Sequence, residues 1–338
     1  MWWREDNFRE KKDSLEMRYK LIREIRSFFD DHDFIEVETP ALQASPGMEA
    51  HIHAFRTQIL TPYLENRGYL YLHTSPEFAM KKLLVAGMPR IFQICKCFRN
   101  AESSFLHSCE FTMIEWYRAG AGYEDIMRDC VDLLRRCANA LQIEFYRHKD
   151  NIADPFQQWQ KLTVCEAFEN YAGIDIIPVL DDLKGFTRLA NKIGISTDDN
   201  DLWEDVFFRI FLEKIEPNLG QGTPAILYDY PVSMAALSRP KPADSRFAER
   251  FEIYICGLEL ANAFGELTDP EEQKKRFIKD MELKKNLYGQ NWPVDEDFIK
   301  ALEHGMPESG GIALGIDRLA MLAAGAEKIE DVLWTPKP

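Results

Sequence analysis

Apolar residues recur at helical spacing from Leu15 through Tyr19, Ile22 and Ile25 to Phe29, which predicts an amphipathic helix opening the fold. Asp13 is placed to cap it, and Glu16 completes a capping-box pattern. A strand through Ile35 and Val37 follows, then another at Tyr69-Leu70-Tyr71-Leu72-His73. Ser75-Pro76 reads as the cap and first residue of a helix that carries Met80, Leu83 and Leu84 and ends at Gly87. Residues 91–98 and 110–118 are rich in aromatic and β-branched residues and predict an antiparallel hairpin with a polar loop. Alternation along the second strand puts Phe111, Met113, Glu115 and Tyr117 on one face and Glu110, Thr112, Ile114 and Trp116 on the other. A face with a carboxylate between aromatics makes a poor core but a good pocket floor for a flat base and a cation. Arg99 ends the first strand and points towards the hairpin loop.

Residues 122–142 predict a second long amphipathic helix. From about 145 to 225 the pattern is less regular, with Pro155, Pro178 and the run Asp198-Asp199-Asn200-Asp201 separating helical pieces. This stretch reads as a partly helical insertion within a single domain spanning 1–338, because segments with candidate chemistry lie on both sides. Residues 225–266 return to strands, and Asp269-Pro270 opens a charged helix. Near the end, Gly310-Gly311-Ile312-Ala313-Leu314-Gly315-Ile316-Asp317-Arg318 is a glycine-punctuated strand running into an apolar helix. Glycine lets backbone approach a ligand closely, and the arginine at the junction can stack on a flat ring and pair with a phosphate. The segment is neither GxGxxG nor GxxxxGK[ST], so the two commonest nucleotide folds lose support. Strands flanked by helices without regular βαβ alternation indicate an α+β antiparallel sheet.

Charge and cysteine content narrow the function classes. The net charge of −15 argues against broad non-specific binding to nucleic acid, which needs a basic surface. No signal peptide and no membrane-spanning apolar run are present, so a cytoplasmic enzyme is expected, with no membrane partner. Seven scattered cysteines without a CxxC pair indicate neither a disulfide framework nor a zinc site. Cys95 and Cys97, two apart on one strand face, read as packing residues.

Several motifs together resemble one family. Arg99 with its loop and strand is similar to motif 2 of the class II aminoacyl-tRNA synthetases, and the strand ending at Arg318 is similar to motif 3. Phe34 through Leu42, with Pro40 inside Glu38-Thr39-Pro40-Ala41-Leu42, resembles motif 1, the dimer-interface strand. Thr74-Ser75-Pro76-Glu77 and Gly257-Leu258-Glu259-Leu260-Ala261-Asn262 resemble the lysine-specific branch. The resemblance runs from about Leu15 to Leu333 and implies a homodimer. It implies activation of an amino acid by ATP and Mg2+ as an aminoacyl-adenylate. Arg99 and Arg318 are then the catalytic candidates. Glu102, His107, Phe111, Glu259, Leu260 and Gly315 join them as ATP-binding candidates, with adenine held between Phe111 and Arg318.

Glu259 and Glu266 are the implied magnesium ligands. Seven residues apart, they face opposite sides of an unbroken strand, so sharing one ion calls for a turn near Asn262–Gly265. Ser75, Glu77, Glu115, Tyr117, Asn262, Glu266 and Ala313 are the implied amino-acid contacts. An acidic, aromatic-lined pocket selects a dicationic substrate such as lysine over aspartate or asparagine.

Three departures refine the resemblance. Ala101 stands where the lysyl enzymes carry glutamate; either the loop shifts so that Glu102 reaches the adenine edge, or the nucleotide contact weakens. Ser108-Cys109 replaces the usual Asn-Pro after His107. Ala313 stands where lysyl-tRNA synthetases tend to have glycine, whereas the elongation factor P lysine ligases resemble this chain in having alanine. Motif 1 begins within forty residues of Met1, and no anticodon-binding barrel is expected. The implied reaction is ATP-dependent transfer of lysine, or (R)-β-lysine, to a lysine of elongation factor P, with tRNA an unfavoured acceptor. A free-standing synthetase and a catalytically silent lysine and ATP sensor remain as alternatives.

Overall fold

The computed structural model describes residues 1–337. Its centre is an eight-stranded sheet in the order Ile35–Glu36, Arg90–Phe98, Glu110–Ala119, Ser309–Gly315, Leu258–Gly265, Phe247–Ile255, Ala225–Pro231, Gln160–Thr163. The inner pairings are antiparallel, and only the two edge strands pair in parallel. The fold is therefore the α+β antiparallel class. The hairpin is closed with Ile94 opposite Ile114, which places Cys95, Cys97, Phe111, Met113, Glu115 and Tyr117 on one face.

The opposite face is the core. Trp116, Ile312, Leu314, Ile253 and Ala263 bury there against helices Lys12–Asp31, Tyr123–Leu141 and Ile316–Ala324. Phe29 stacks on Phe92 with ring centroids 4.7 Å apart and tilts against Trp116 at 5.2 Å. Truncating an aromatic in such a layer costs about 3–5 kcal/mol. Helix Lys12–Asp31 differs from its expected register. Lys11 precedes it without a side-chain cap, Asp13 lies inside it, and Tyr19 is exposed. Its buried stripe is Leu15, Arg18, Leu21, Ile25, Phe28 and Phe29. Arg18 is admitted because it pairs with Asp317 at 2.5 Å, tying this helix to the start of the last one.

Other boundaries match local chemistry. Pro76 is the N-cap of helix Glu77–Val85, one position earlier than the first helical turn assigned to it. Asp269 caps helix Pro270–Tyr288 by accepting from the Glu271 and Glu272 amides, with Pro270 at the first position. Residues 164–219 gather a second core around Phe168, Phe186, Phe207 and Trp203, seated against the 225–231 end of the sheet. Two of its turns, Phe168–Ala172 and Phe211–Ile215, are wound as π-helix. A third cluster packs helices Glu77–Val85, Pro270–Tyr288 and Glu296–Gly305 together, with Phe78 stacked on Phe298.

Candidate active site

The uncovered face of the sheet is the floor of a cavity of about 500 Å³, and every candidate site residue lines it. Neighbouring strands put Glu115, Ala313, Asn262 and Glu252 in one row across the floor, and Tyr117, Gly311, Phe264 and Arg250 in the next. Gly311 is needed for close approach: a Cβ there would run into the Glu266 carboxylate and the Tyr117 ring.

One end of the cavity is acidic. Glu115 is buried; Ser75 donates to its Oε1 (2.6 Å) and Tyr117 to its Oε2 (2.8 Å). Burial pushes its carboxyl well up, and the Glu77 charge adds to this. Sequence reasoning missed Lys81, whose fully buried Nζ lies 2.5 Å from both Glu77 and Glu266. These two carboxylates raise the Lys81 ammonium above its ordinary value despite burial. Burial likewise raises Glu77, and pushes Glu266 up to about 7 against the pull of Lys81. Three buried carboxylates thus stand beside one ammonium that pairs with two of them, Glu77 and Glu266, while Glu115 has only hydroxyl partners; the cluster has room for positive charge from a ligand. Lys81 lay in plain view, one helical turn after Glu77, where an i,i+4 pair is expected.

The other end is cationic. Arg99 sits 5.2 Å over the Phe111 ring, and its buried Nε has no hydrogen-bond partner. Among the described residues no carboxylate pairs with it. Arg318 donates through Nη1 to the Glu259 carbonyl and through Nη2 to His107 Nε2. His107 must accept that bond, so its proton is on Nδ1, beside Ser104 Oγ at 2.9 Å. Burial, then Arg318, Arg99 and Lys337, lower its pKa to about 4 and keep the ring neutral. Ala101 takes a left-handed φ of 62°, and the turn it makes brings Glu102 to the cavity wall. Gly315 and Leu260 complete this end beside Arg318.

The magnesium assignment needs correction. Leu258–Gly265 runs through without the turn that shared binding required. A bulge puts Leu260 opposite the step between Ile253 and Tyr254. That extra residue shifts Glu259 onto the cavity face, with Asn262 and Glu266, but leaves the two acids about 20 Å apart along the strand. Glu259 and Glu266 therefore cannot hold one ion. Glu259 instead neighbours Glu252; burial and then the Glu252 charge push it up to about 7. Its carboxylate takes part in no hydrogen bond or ion pair among the described residues. Glu252 accepts from Tyr230, Tyr254 and Arg250. Arg250 also donates to Asn262 Oδ1 (3.2 Å), which holds the Asn262 side chain in place on the cavity floor. Glu252 and Arg250 were missed although strand alternation puts them on one face with Tyr254.

Comparison with known proteins agrees with this layout. A family model for class II tRNA synthetases (D, K and N) matches residues 4–338. The elongation factor P–(R)-β-lysine ligase of Vibrio cholerae is 40% identical over 332 residues, covering 96% of this chain and 95% of the relative. Proteins of the same name from Haemophilus ducreyi and Mannheimia succiniciproducens are 39% and 38% identical, covering 94% of this chain and 91% and 92% of theirs. With a family model spanning nearly its whole length and a cavity cationic at one end and acidic at the other, the chain belongs to the class II tRNA synthetase family.

Proposed function

We propose that this protein activates lysine, as (R)-β-lysine, with ATP and transfers it to a lysine side chain of elongation factor P. One observation carries the reading. Three buried carboxylates, Glu77 and Glu266 paired with one lysine ammonium and Glu115 with none, lie in the same cavity as a guanidinium without a counter-ion, Arg99. A diamino acid offers two ammonium groups to the first and one carboxylate to the second. The names of the relatives support both the amino acid and the acceptor.

In the first step a carboxylate oxygen of the amino acid attacks the α-phosphorus of ATP, and pyrophosphate leaves. Arg99 is placed to neutralise the charge that builds on the phosphoryl oxygens, and it needs no reorganisation to do so. Arg318, fixed by the Glu259 carbonyl and His107, presents its plane to the base. Glu259 with Glu252 suits a hard cation, because two neighbouring carboxylates offer oxygen ligands and the Glu252 charge disfavours ionised Glu259 until positive charge arrives. Magnesium bound there supplies positive charge to the phosphates. In the second step the acceptor amine attacks the acyl carbon, AMP leaves, and the amine gives up a proton as the amide forms.

Ala313 is the position we assign to discrimination between isomers. Its methyl lies between Glu115 and Asn262 on the floor, and a single methyl in a pocket is worth about 1–3 kcal/mol of selectivity. We also propose a homodimer, since Ile35 is 54% exposed and Leu42 46% exposed beside the sheet edge. The direct test of the activation step is pyrophosphate exchange with a panel of amino acids. Lysine isomers should support exchange and aspartate and asparagine should not; exchange driven by aspartate would contradict the charge argument.

A further inference from the structure

Cys95 and Cys97 are adjacent residues on the cavity-side face of strand Arg90–Phe98, and neither has a role in the chemistry above. The fold brings His73 against them, from the end of a strand of a separate small sheet. The His73 ring nitrogen and the two sulphurs all lie within 4.8 Å of one another. His73 and Cys97 are fully buried and Cys95 is half-buried, which leaves one way in. Nε2 of His73 is 2.7 Å from the Lys96 carbonyl, so that nitrogen holds the proton. Nδ1 is then a lone pair, buried without a conventional hydrogen bond and turned towards the sulphurs. A histidine anchored through one nitrogen on a carbonyl with the other free is the arrangement metal-binding imidazoles adopt.

We propose that His73, Cys95 and Cys97 form a zinc(II) site, with water in the fourth position. Two thiolates on a tetrahedral zinc at about 2.3 Å stand about 3.8 Å apart; here the sulphurs are 3.9 Å apart. Two sulphurs and an imidazole nitrogen suit a borderline-soft ion over magnesium or calcium. Zinc binds cysteine as thiolate, so uptake displaces thiol protons and releases acid. Among the described residues no other trio of histidine, cysteine or acid brings its ligand atoms this close. Disulfide formation is a poorer use of the pair: the sulphurs sit side by side on one extended strand, well beyond the bond length of about 2.05 Å.

The test is metal titration of the reduced, chelator-stripped full chain, with zinc followed by native mass spectrometry and cobalt(II) by absorption. One ion per chain is expected, with tetrahedral cobalt d–d bands and a thiolate-to-cobalt charge-transfer band. Cys95→Ser, at the half-buried position, should weaken binding by about a hundredfold or more, above the cost typical of an outer-shell change. Cys95→Ser/Cys97→Ser should abolish the charge-transfer band, and Cys165→Ser, in the insertion, should leave it intact. Circular dichroism checks that each variant is folded. Wild-type cobalt spectra without sulphur ligation would overturn the site, as would a charge-transfer band that survives in the double variant. So would a chain two hydrogens lighter that takes up no metal.

Discussion

Arg99 has the most informative surroundings of any single residue here: half-buried, stacked on Phe111, with its Nε buried and unbonded and no anionic partner among the described residues. Leaving a guanidinium in that state costs stability, and the cost is offset only when phosphate and carboxylate oxygens arrive. Arg99→Ala should therefore lower the rate of lysine-dependent pyrophosphate exchange by about 10²–10³, as loss of a transition-state donor does. A rise in the apparent affinity constants with turnover intact would show that it only binds ground states. The acidic end makes a separate prediction about pH. Burial raises Glu77, Glu115 and Glu266, Glu266 to about 7. Raised carboxylates contribute stability below about pH 4.5 that is lost as pH rises towards 7, so the free protein should become less stable over that interval. Lysine binds the ionised form of Glu266, so its dissociation constant should rise about fivefold from pH 7 to 6. Glu266→Gln should flatten that profile as well as weaken binding. Calorimetry at the two pH values reads both effects, and a flat wild-type profile would contradict the assignment.

At the level of elements, the hairpin at 90–119 was legible because period-2 alternation with a carboxylate among aromatics has one natural reading. The glycine strand was legible for a similar reason, since Gly311 has no room for a side chain. The magnesium pair was misread because one bulged residue, Leu260, reverses the parity of the strand and no residue type announces it. Parity alone sends Glu259 and Glu266 to opposite faces; the bulge returns them to one face, at opposite ends. Helix Lys12–Asp31 was misregistered because Arg18 is polar, and only its distant partner Asp317 explains its burial. Lys81 was overlooked for the converse reason: its i,i+4 spacing from Glu77 is readable, but only the distant partner Glu266 marks that pair as buried. His73 joins Cys95 and Cys97 only through tertiary packing, so no spacing rule finds it.

For the molecule as a whole, the sheet, with helices on one face and the cavity on the other, positions substrate groups from segments far apart in sequence. Residues 164–219 add a core of their own at the far sheet edge and contribute Phe208 to the cavity wall. No helix among the described residues is long and apolar enough to cross a membrane. The exposed Ile35 and Leu42 predict a dimer, and light scattering at micromolar concentration should give twice the monomer mass. A monomer mass would leave that edge unexplained. The central claim, transfer of a lysine isomer to a protein, is tested most directly by intact mass spectrometry of elongation factor P. The factor is incubated with this protein, ATP, magnesium and either α-lysine or (R)-β-lysine. The account predicts one added lysyl mass on a single lysine side chain, dependent on ATP and faster with the β isomer. An unmodified elongation factor P beside efficient charging of tRNA would contradict it.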